Sequence, residues 1–357
     1  ERFIMQIVSQ KRLGAAKKSF VTRRVPLSAA KTLITHSHRP NAGDIVLARV
    51  TKIGSHKASE LESGRKAALA PGDEVVLAYG NRYAPAQYEA YVPDDLRPCH
   101  MVAAGGIAAE AVSWHDRLSG PTSIEPLGVL GGADLKPLNL EDFAISTPAW
   151  PLPNQILGVF GTSMNAGKST VAANLVRGLT ALGHSVGFAK ITGTGAGGDV
   201  FLMRDSGAVS ALDFTDAGLA STFMVPVPRI LSASMQLLKA IGARGCEVAV
   251  LEVADGLYQS ETAALAESSG LTDHLSATLF AAGDALGATA GAEKLRALGH
   301  NVAAVSGVFT ASPLAAREAS AAGVPVLSTA ELSKPKVAQR ILDRCAAASP
   351  QRHYARS

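Results

Sequence analysis

Cysteine is scarce in this chain. The 357 residues include three cysteines, Cys99, Cys246 and Cys345, which are odd in number and far apart. A disulfide framework needs an even set of cysteines, and a cysteine metal site needs ligands that lie close in sequence. Neither kind of site is expected, and the reduced thiols predict a cytoplasmic protein.

Long hydrophobic runs are also missing. Although 47% of the residues are hydrophobic, no apolar run approaches the roughly 20 residues that a transmembrane helix needs. The first residues lack the apolar stretch and small-residue cleavage site that mark a secretory signal. We therefore expect a large buried core and no association with a membrane.

Charge is sparse and unevenly placed. Charged residues make up 18% of the chain, and the net charge is +4. The excess of lysine and arginine lies in the first 25 residues, which leaves the remainder close to neutral. This segment lacks the regularly interleaved aromatic residues of a nucleic-acid stacking surface. Nucleic acid is not an expected partner, and the segment is predicted to be solvated or to contact another copy in a homo-oligomer.

Turns and apolar runs divide the chain into segments. Gly43-Asp44 and Gly72-Asp73 are turns that each precede an apolar run, which predicts a small β-barrel or sandwich. A glycine-led helix is expected over 101–112. The predicted segments are a basic arm at 1–19, the β domain at 20–96, a connector with a proline-rich joint at 97–153, a nucleotide-binding domain at 154–348 and a tail at 349–357.

From residue 154 onward, apolar strands alternate with helices. This alternation predicts an α/β fold in which a mainly parallel sheet has helices on both faces. The sequence Gly-Thr-Ser-Met-Asn-Ala-Gly-Lys-Ser-Thr at 161–170 predicts that this sheet is of the P-loop NTPase kind. After the strand that precedes the loop, further strands are expected at 185–190, 248–253, 275–281, 302–306 and 324–327. Helices are expected at 169–182, 230–243, 286–298, 313–322 and 330–347.

The first of these strands leads into a phosphate-binding loop. Glycines allow the backbone to wrap around phosphate oxygens, and the amides at the start of the following helix face the anion. Lys168 is predicted to reach the β- and γ-phosphates, and the Ser169 hydroxyl is predicted to hold Mg²⁺. The candidate nucleotide-binding residues are Gly161, Thr162, Asn165, Ala166, Gly167, Lys168, Ser169 and Thr170.

Two later strands end in charged residues. Glu252 closes the strand at 248–253, and Lys190 closes the strand at 185–190. Because ligands of parallel sheets bind at the carboxyl ends of the strands, both side chains are expected beside the loop. Glu252 is a candidate Mg²⁺ ligand, and either Asp199 or Asp213 is expected to complete the metal site. Lys168, Lys190 and Glu252 are the candidate catalytic residues.

Three segments in this order resemble dethiobiotin synthetase. The loop 161–169 is similar to that family's Gly-Thr-Asp-Thr-x-x-Gly-Lys-Thr loop, and it shares the extra residue between the two glycines. Segment 189–193 resembles the family's Lys-Pro-Val-x-Ser/Thr-Gly, and segment 251–257 resembles Val-Glu-Gly-Ala-Gly-Gly. The resemblance covers about residues 155–330, and no domain like 20–150 belongs to that family.

The resemblance implies ATP at Lys168, Mg²⁺ at Ser169, Glu252 and an aspartate, and an acceptor substrate near Lys190. Candidate substrate-binding residues are then Ser163, Met164, Thr192, Gly193 and Thr194. Ser163 and Met164 stand where the family has an Asp-Thr pair, so the acceptor is expected to differ from that of the biotin pathway.

Two classes of function follow. The first is an ATP- and Mg²⁺-dependent ligase or kinase that activates a small carboxylate-type acceptor by phosphoryl transfer. The second is a regulatory or assembly NTPase whose nucleotide state a protein partner reads. The position of the extra lysine of partition-type ATPases holds Ser163, which disfavours that kind of switch. An Asn-Lys-x-Asp guanine motif is absent from the sequence, which favours ATP over GTP.

Overall fold

The computed structural model of this chain describes residues 5–35 and 38–347. The tail predicted at 349–357 and the first four residues of the predicted arm lie outside this range. The chain forms two compact units. The first contains the described residues up to Ile145 together with 193–198 and 214–224, and the second contains 146–192, 199–213 and the residues from Val225 onward.

The first unit is built mainly from strands. Among the described residues up to Ile145, helix α1 (Gln10–Ala15) is the one α-helix. Its twelve strands are β1 (Met5–Ile7), β2 (Lys17–Lys18), β3 (Thr32–Ile34), β4 (Ile45–Lys52), β5 (Ala58–Glu60), β6 (Lys66–Ala68), β7 (Glu74–Tyr79), β8 (Arg82–Tyr83), β9 (Tyr88–Tyr91), β10 (Cys99–Ala103), β11 (Ile107–Trp114) and β12 (Thr122–Gly131).

Five of these strands close into a ring. Strand β4 pairs with β7 and β12, β11 pairs with β7 and β10, and β10 pairs with β12. All of these pairs are antiparallel except β7 with β11. The small barrel expected from the two Gly-Asp turns is therefore present, and strands from 99–131 complete it.

The barrel strands are buried on both faces. Along β4, Ile45 and Leu47 belong to one hydrophobic cluster, whereas Val46, Ala48 and Val50 belong to another. Successive side chains of a strand point to opposite faces, so one cluster fills the barrel and the other covers its outside. The almost continuous apolar run of this strand follows from that double burial.

The prediction of a helix over 101–112 is wrong. Residues 99–103 and 107–114 form the antiparallel strands β10 and β11, with Gly106 in the intervening turn at φ 110°. Both strands bury consecutive small or apolar residues. An apolar run without a period of two fits a buried helix and a doubly buried strand equally well, which explains the error.

The basic N-terminal segment pairs with acids of its own unit. Arg12 donates to Glu74 (2.7 Å), Lys18 donates to Glu62 (2.9 Å), and Lys17 pairs with Asp73. Strand β2 also pairs with β7. The described part of the segment is thus an integral part of the first unit.

The second unit alternates strands with helices. Its strands are β13 (Gln155–Gly161), β14 (Val186–Lys190), β15 (Ser210–Asp213), β16 (Val248–Glu252), β17 (Ala277–Ala281) and β18 (Val302–Ser306). Its helices are α2 (Lys168–Ala181), α3 (Gly198–Asp205), α4 (Val227–Gly242), α5 (Ser260–Glu267), α6 (Ser269–Thr272), α7 (Ala285–Ala297), α8 (Pro313–Ala321) and α9 (Pro335–Ala347). The first residue of α3, Gly198, belongs to the first unit.

The six strands form one parallel sheet in the order β15-β14-β16-β13-β17-β18. The predicted fold class, a parallel sheet with flanking helices preceded by a β-rich region, is confirmed. The strand expected at 324–327 is reduced to an isolated bridge between Val326 and Val305. The three cysteines are buried thiols. Among the described residues, no helix is long and apolar enough to cross a membrane.

Candidate functional site

The loop between β13 and α2 has the backbone of a phosphate-binding loop. Asn165 (φ 68°) and Gly167 (φ 95°) adopt left-handed conformations, and α2 begins at Lys168. Such turns point successive backbone amides toward the concave side of a loop. The Thr162 amide donates to the Ala281 carbonyl oxygen at 2.9 Å, which ties the start of the loop to β17.

Glycine is required at the start of this loop. A Cβ atom at Gly161 would lie 2.8 Å from Cγ of Lys168 and 3.0 Å from the carbonyl oxygen of Ala281. The Lys168 chain therefore runs directly over the end of β13. Its ammonium donates to the Ser163 carbonyl oxygen at 2.7 Å, so the lysine spans the loop that would hold a phosphate.

Ser169, Glu252 and Lys190 meet at the carboxyl ends of adjacent strands. The Ser169 hydroxyl donates to Oε1 of Glu252 at 3.3 Å, and Nζ of Lys190 lies 3.9 Å from the same oxygen. Strand β16 lies between β13 and β14. This order brings together three side chains that are up to 83 positions apart in sequence.

Asp199 and Asp213 occupy different places around Lys190. Asp199, in the first turn of α3, forms an ion pair with Lys190, and the neighbouring Ser169 side chain is among the groups that lower the pKa of Asp199. Asp213 ends β15, in register with Lys190 on β14, and is buried. Because Asp199 also neighbours Ser169, its position favours it over Asp213 as a metal ligand.

Burial governs the electrostatics of this cluster. Burial, together with the negative charge of Asp199, raises the pKa of Glu252 to about 7, although the two lysines oppose the shift. Burial also lowers the pKa of Lys168. Burial disfavours the charge on Lys190, but Asp199 and Glu252 outweigh it and raise the pKa of this ammonium. Lys190 is therefore charged at neutral pH.

The residues present suit a Mg²⁺ ion. Oε2 of Glu252 is buried and lacks a hydrogen-bond partner among the described residues, although a buried carboxylate oxygen normally has one. Together with Ser169 and Asp199 it offers the hard oxygen ligands that Mg²⁺ prefers. Within the described ranges, no group of three or more histidine, cysteine or acidic side chains is placed so that it could hold a metal ion by itself. Phosphate oxygens and water usually complete such a Mg²⁺ site.

The loop after β16 is fixed against the phosphate-binding loop. The Ala254 amide donates to the Thr192 hydroxyl at 2.7 Å, and its carbonyl oxygen accepts from Thr262 at 2.9 Å. A Cβ atom at Gly256 would lie only 1.9 Å from the Thr162 carbonyl oxygen. This close approach was not predicted, although Asp255-Gly256 was an available signal for it in the sequence.

The candidate substrate-binding residues fall into separate groups. Thr192 uses its hydroxyl to join the ends of β14 and β16. Gly193 and Thr194 lie in the first unit, where Gly193 donates to the Thr222 hydroxyl at 2.8 Å and Thr194 forms a bridge with Ser221. Ser163 and Met164 lie in the phosphate-binding loop. Substrate contact by any of them stays a prediction.

A second backbone contact closes the other side of the loop. The Val308 amide donates to the Ala166 carbonyl oxygen at 3.1 Å. A Cβ atom at Gly307, which has φ 108°, would lie 2.5 Å from the same oxygen. The turn after β18 therefore supports the phosphate-binding loop, a role that its sequence did not indicate.

Comparisons with known proteins give only distant similarities. No family model matches the sequence, and no curated protein matches it. Among solved structures, the chain is similar to the 54 kDa signal recognition particle protein from Aeropyrum pernix K1 in complex with GDP. That similarity has 13% identity and a TM-score of 0.37, and it covers 57% of this chain and 51% of the other.

Two receptor structures give similar values. FtsY from Elizabethkingia anophelis in complex with GDP has 15% identity and a TM-score of 0.38 over 57% of this chain and 67% of that one. Chloroplast FtsY from Physcomitrella patens has 14% identity and a TM-score of 0.36 over 58% and 70%. This chain thus spans about half of the first of these proteins. The resemblance to dethiobiotin synthetase is not shown and stays a prediction.

Proposed function

We propose that this chain is an ATP- and Mg²⁺-dependent enzyme that activates a small carboxylate-type acceptor by phosphoryl transfer. The observation that carries the proposal is the second lysine, Lys190, which is partly buried. Nζ of Lys190 lies 3.9 Å from Oε1 of Glu252, which itself accepts from Ser169 of the phosphate-binding loop. A cation there suits the acceptor carboxylate or the phosphate that is transferred to it.

Each side chain has a separate task in this proposal. The amides of the phosphate-binding loop and the Lys168 ammonium bind the β- and γ-phosphates. Lys190 holds the acceptor carboxylate in line with the terminal phosphorus. The acceptor oxygen then forms a bond to phosphorus while the bond to the bridging oxygen breaks, and the nucleoside diphosphate leaves. Such catalysis consists mainly of positioning and charge neutralisation.

Ser169, Glu252 and Asp199 would hold Mg²⁺, which supplies positive charge for the phosphate oxygens. Asp199 must then loosen its ion pair with Lys190. This exchange would leave the Lys190 ammonium available to the acceptor when nucleotide and metal are bound.

A regulatory or assembly NTPase is the second candidate. Residues 193–198 follow β14, and residues 214–224 follow β15, yet both segments pack within the first unit. A change at Lys190 or Asp213 would therefore be passed along the chain to segments of that unit. In that case a protein partner would read the nucleotide state.

The test is to measure nucleotide binding and turnover with ATP or GTP, with and without a panel of small carboxylic acids. We expect ATP turnover that an acceptor stimulates. Lys190→Ala should lower stimulated turnover about 100-fold with little change in nucleotide affinity, whereas Lys168→Ala should weaken nucleotide binding at least tenfold. Lys239→Ala, which removes a lysine from the end of α4, is the control.

Several results would contradict the proposal. One is rapid ATP hydrolysis that needs no acceptor and is unchanged in Lys190→Ala. Nucleotide-dependent dimerisation or capture of a protein, without stimulation by any carboxylic acid, would favour the regulatory NTPase. A preference for GTP over ATP would show that the nucleotide base is guanine and not the proposed adenine.

A further inference from the structure

The first unit has an open cavity where strands β8, β9 and β11 lie side by side. Its volume is about 340 Å³, at the lower end of the range for small-ligand pockets. The lining comes from the end of β8, the turn into β9, the start of β9 and the end of β11. All of these residues precede Ile145, so the cavity belongs to the first unit and includes no residue of the phosphate-binding loop.

Strand register brings an acid and aromatic side chains together at this cavity. Tyr83 of β8 lies opposite Glu89 of β9, and Glu89 lies opposite Ser113 of β11. Residues directly opposite each other share a face of the sheet and lie close together. The next pair along β9 and β11 is Tyr88 with Trp114. All five side chains line the cavity.

Two of the aromatic rings are held in place by their surroundings. The ring of Tyr83 packs on Phe223, with 5.5 Å between the ring centroids. Tyr88 is buried, and its hydroxyl donates to the Gly120 carbonyl oxygen at 3.2 Å. Trp114, in contrast, is 45% exposed. A ligand would therefore meet rings that are already ordered, which lowers the cost of binding.

Glu89 gives the cavity a negative charge. Its Oε1 accepts from the Tyr91 hydroxyl at 2.6 Å, and its Oε2 accepts from the Ser113 hydroxyl at 2.8 Å. These hydrogen bonds lower the pKa of Glu89, so it is ionised at neutral pH. Each carboxylate oxygen can accept a further hydrogen bond. None of the described residues that line the cavity is a lysine or an arginine.

A cation of the protein already lies near one of the rings. Arg82 is buried and donates to Oε1 of Gln87 at 2.6 Å. Its guanidinium carbon lies 5.7 Å from the centroid of the Tyr88 ring, within the distance at which an aromatic ring attracts a cation. Arg82 does not line the cavity, so its guanidinium does not fill the space beside Glu89.

We propose that this cavity binds a small alkylammonium ligand, whose cationic group lies against the rings of Tyr83 and Trp114 and beside the Glu89 carboxylate. The faces of aromatic rings attract cations, and the charge of Glu89 adds to this attraction. An anion would be repelled by Glu89. One carboxylate offers too few oxygen ligands for Mg²⁺ or Ca²⁺. This inference does not depend on the proposed nucleotide function.

The two tryptophans of the chain allow a direct test. Trp150 lies in the second unit, so in the full-length variant Trp150→Phe the tryptophan fluorescence comes from Trp114. This variant is titrated with tetramethylammonium chloride, and with sodium chloride at equal concentration as the reference. We expect a saturable change in emission with a millimolar dissociation constant. The neutral molecule tert-butanol, which is of similar size, should bind about tenfold more weakly because it lacks the charge.

Further substitutions in the Trp150→Phe background separate charge from ring. Glu89→Gln and Tyr83→Leu should each weaken tetramethylammonium binding about tenfold, whereas Tyr83→Phe keeps the ring and should bind like its parent. Glu110→Gln is the matched control, because Glu110 lies on the same strand β11 but does not line the cavity. Its affinity should be unchanged. Melting temperatures show whether each variant is folded, and Glu89→Gln tests the site even if Tyr83→Leu is destabilised.

Three results would each overturn the proposal. The first is an emission change that is the same with tetramethylammonium chloride and sodium chloride. The second is equal affinity for tetramethylammonium and tert-butanol. The third is binding by Glu89→Gln that is as tight as binding by Glu110→Gln.

Discussion

The candidate site concentrates charge in a buried place. Lys168, Lys190, Asp199 and Glu252 are two basic and two acidic side chains, and burial opposes the ionisation of each. Buried charges are tolerated when they are paired and hydrogen-bonded, and removing one partner leaves an uncompensated charge. Binding of a phosphate and a metal ion, as proposed, would therefore change the charge around every member of the cluster.

Glu252→Gln tests the metal site at the residue scale. The substitution keeps the size of the side chain but removes the charge that would hold Mg²⁺. We expect turnover to fall about 100-fold and the apparent affinity for Mg²⁺ to fall at least tenfold. A Mg²⁺ titration of nucleotide turnover measures both quantities.

Glu247→Gln is the control for that experiment, because this exposed carboxylate immediately precedes the same strand. It should leave the Mg²⁺ titration unchanged. If Glu252→Gln keeps the wild-type dependence on Mg²⁺, Glu252 is not a metal ligand.

Spacing in the sequence predicted part of this cluster. Lys168, Ser169, Lys190 and Glu252 could be identified because each lies in a loop motif or at the end of an apolar strand. Asp199 and Asp213 could not be separated, because both follow β14 within a short stretch and only the path of the chain into α3 brings Asp199 to Ser169.

At the scale of elements, hydrophobic patterns predicted strands and helices correctly where the two alternate regularly along the chain. Five strands of the parallel sheet and the five helices expected after the loop have limits that agree with the prediction within a few residues, whereas β15, α3, α5 and α6 were not predicted. The pattern failed at 101–112, where both faces of the strands are buried. It also failed at 324–327, where Val326 forms only a bridge and apolar character alone did not ensure a ladder of hydrogen bonds.

The loop after β16 is the element that links the acid to the phosphate-binding loop. Gly256→Ala would place a Cβ atom 1.9 Å from the Thr162 carbonyl oxygen. At this distance the backbone at Gly256 or at Thr162 has to move. We expect nucleotide affinity to fall at least tenfold and the melting temperature to fall by several degrees, as measured by nucleotide titration and calorimetry.

Gly283→Ala is the matched substitution, because a Cβ atom there meets nothing within 4 Å. It lies in the loop after β17, between the strand and α7, and should leave nucleotide binding intact. Equal effects of the two substitutions would show that the contact between Gly256 and Thr162 is unimportant.

At the scale of the whole molecule, the two units share the chain in an interleaved way. Residues 193–198 and 214–224 lie in sequence among the strands of the parallel sheet but pack within the first unit. There the Gly197 amide donates to Glu60 at 2.7 Å, and Arg23 pairs with Asp216 at 2.7 Å. A single proline-rich boundary was the expectation because local composition carries no information about such long-range pairing.

The stability of the first unit should depend on pH through His56. Burial, and then the positive charge of Arg82, lower the pKa of His56 to about 4, whereas an unfolded histidine has a pKa near 6.5. The unfolded state therefore binds the extra proton between these values, so the stability present above pH 6.5 is lost as the pH falls toward 4.

In the variant His56→Gln this pH-dependent loss of stability is absent. The difference in the free energy of unfolding between wild type and variant should thus shrink by up to about 3 kcal/mol from pH 7 to pH 4. Denaturant titrations at several pH values measure it, with His274→Gln as the control on an exposed histidine. A difference that stays constant across this range would show that His56 is not the group that titrates.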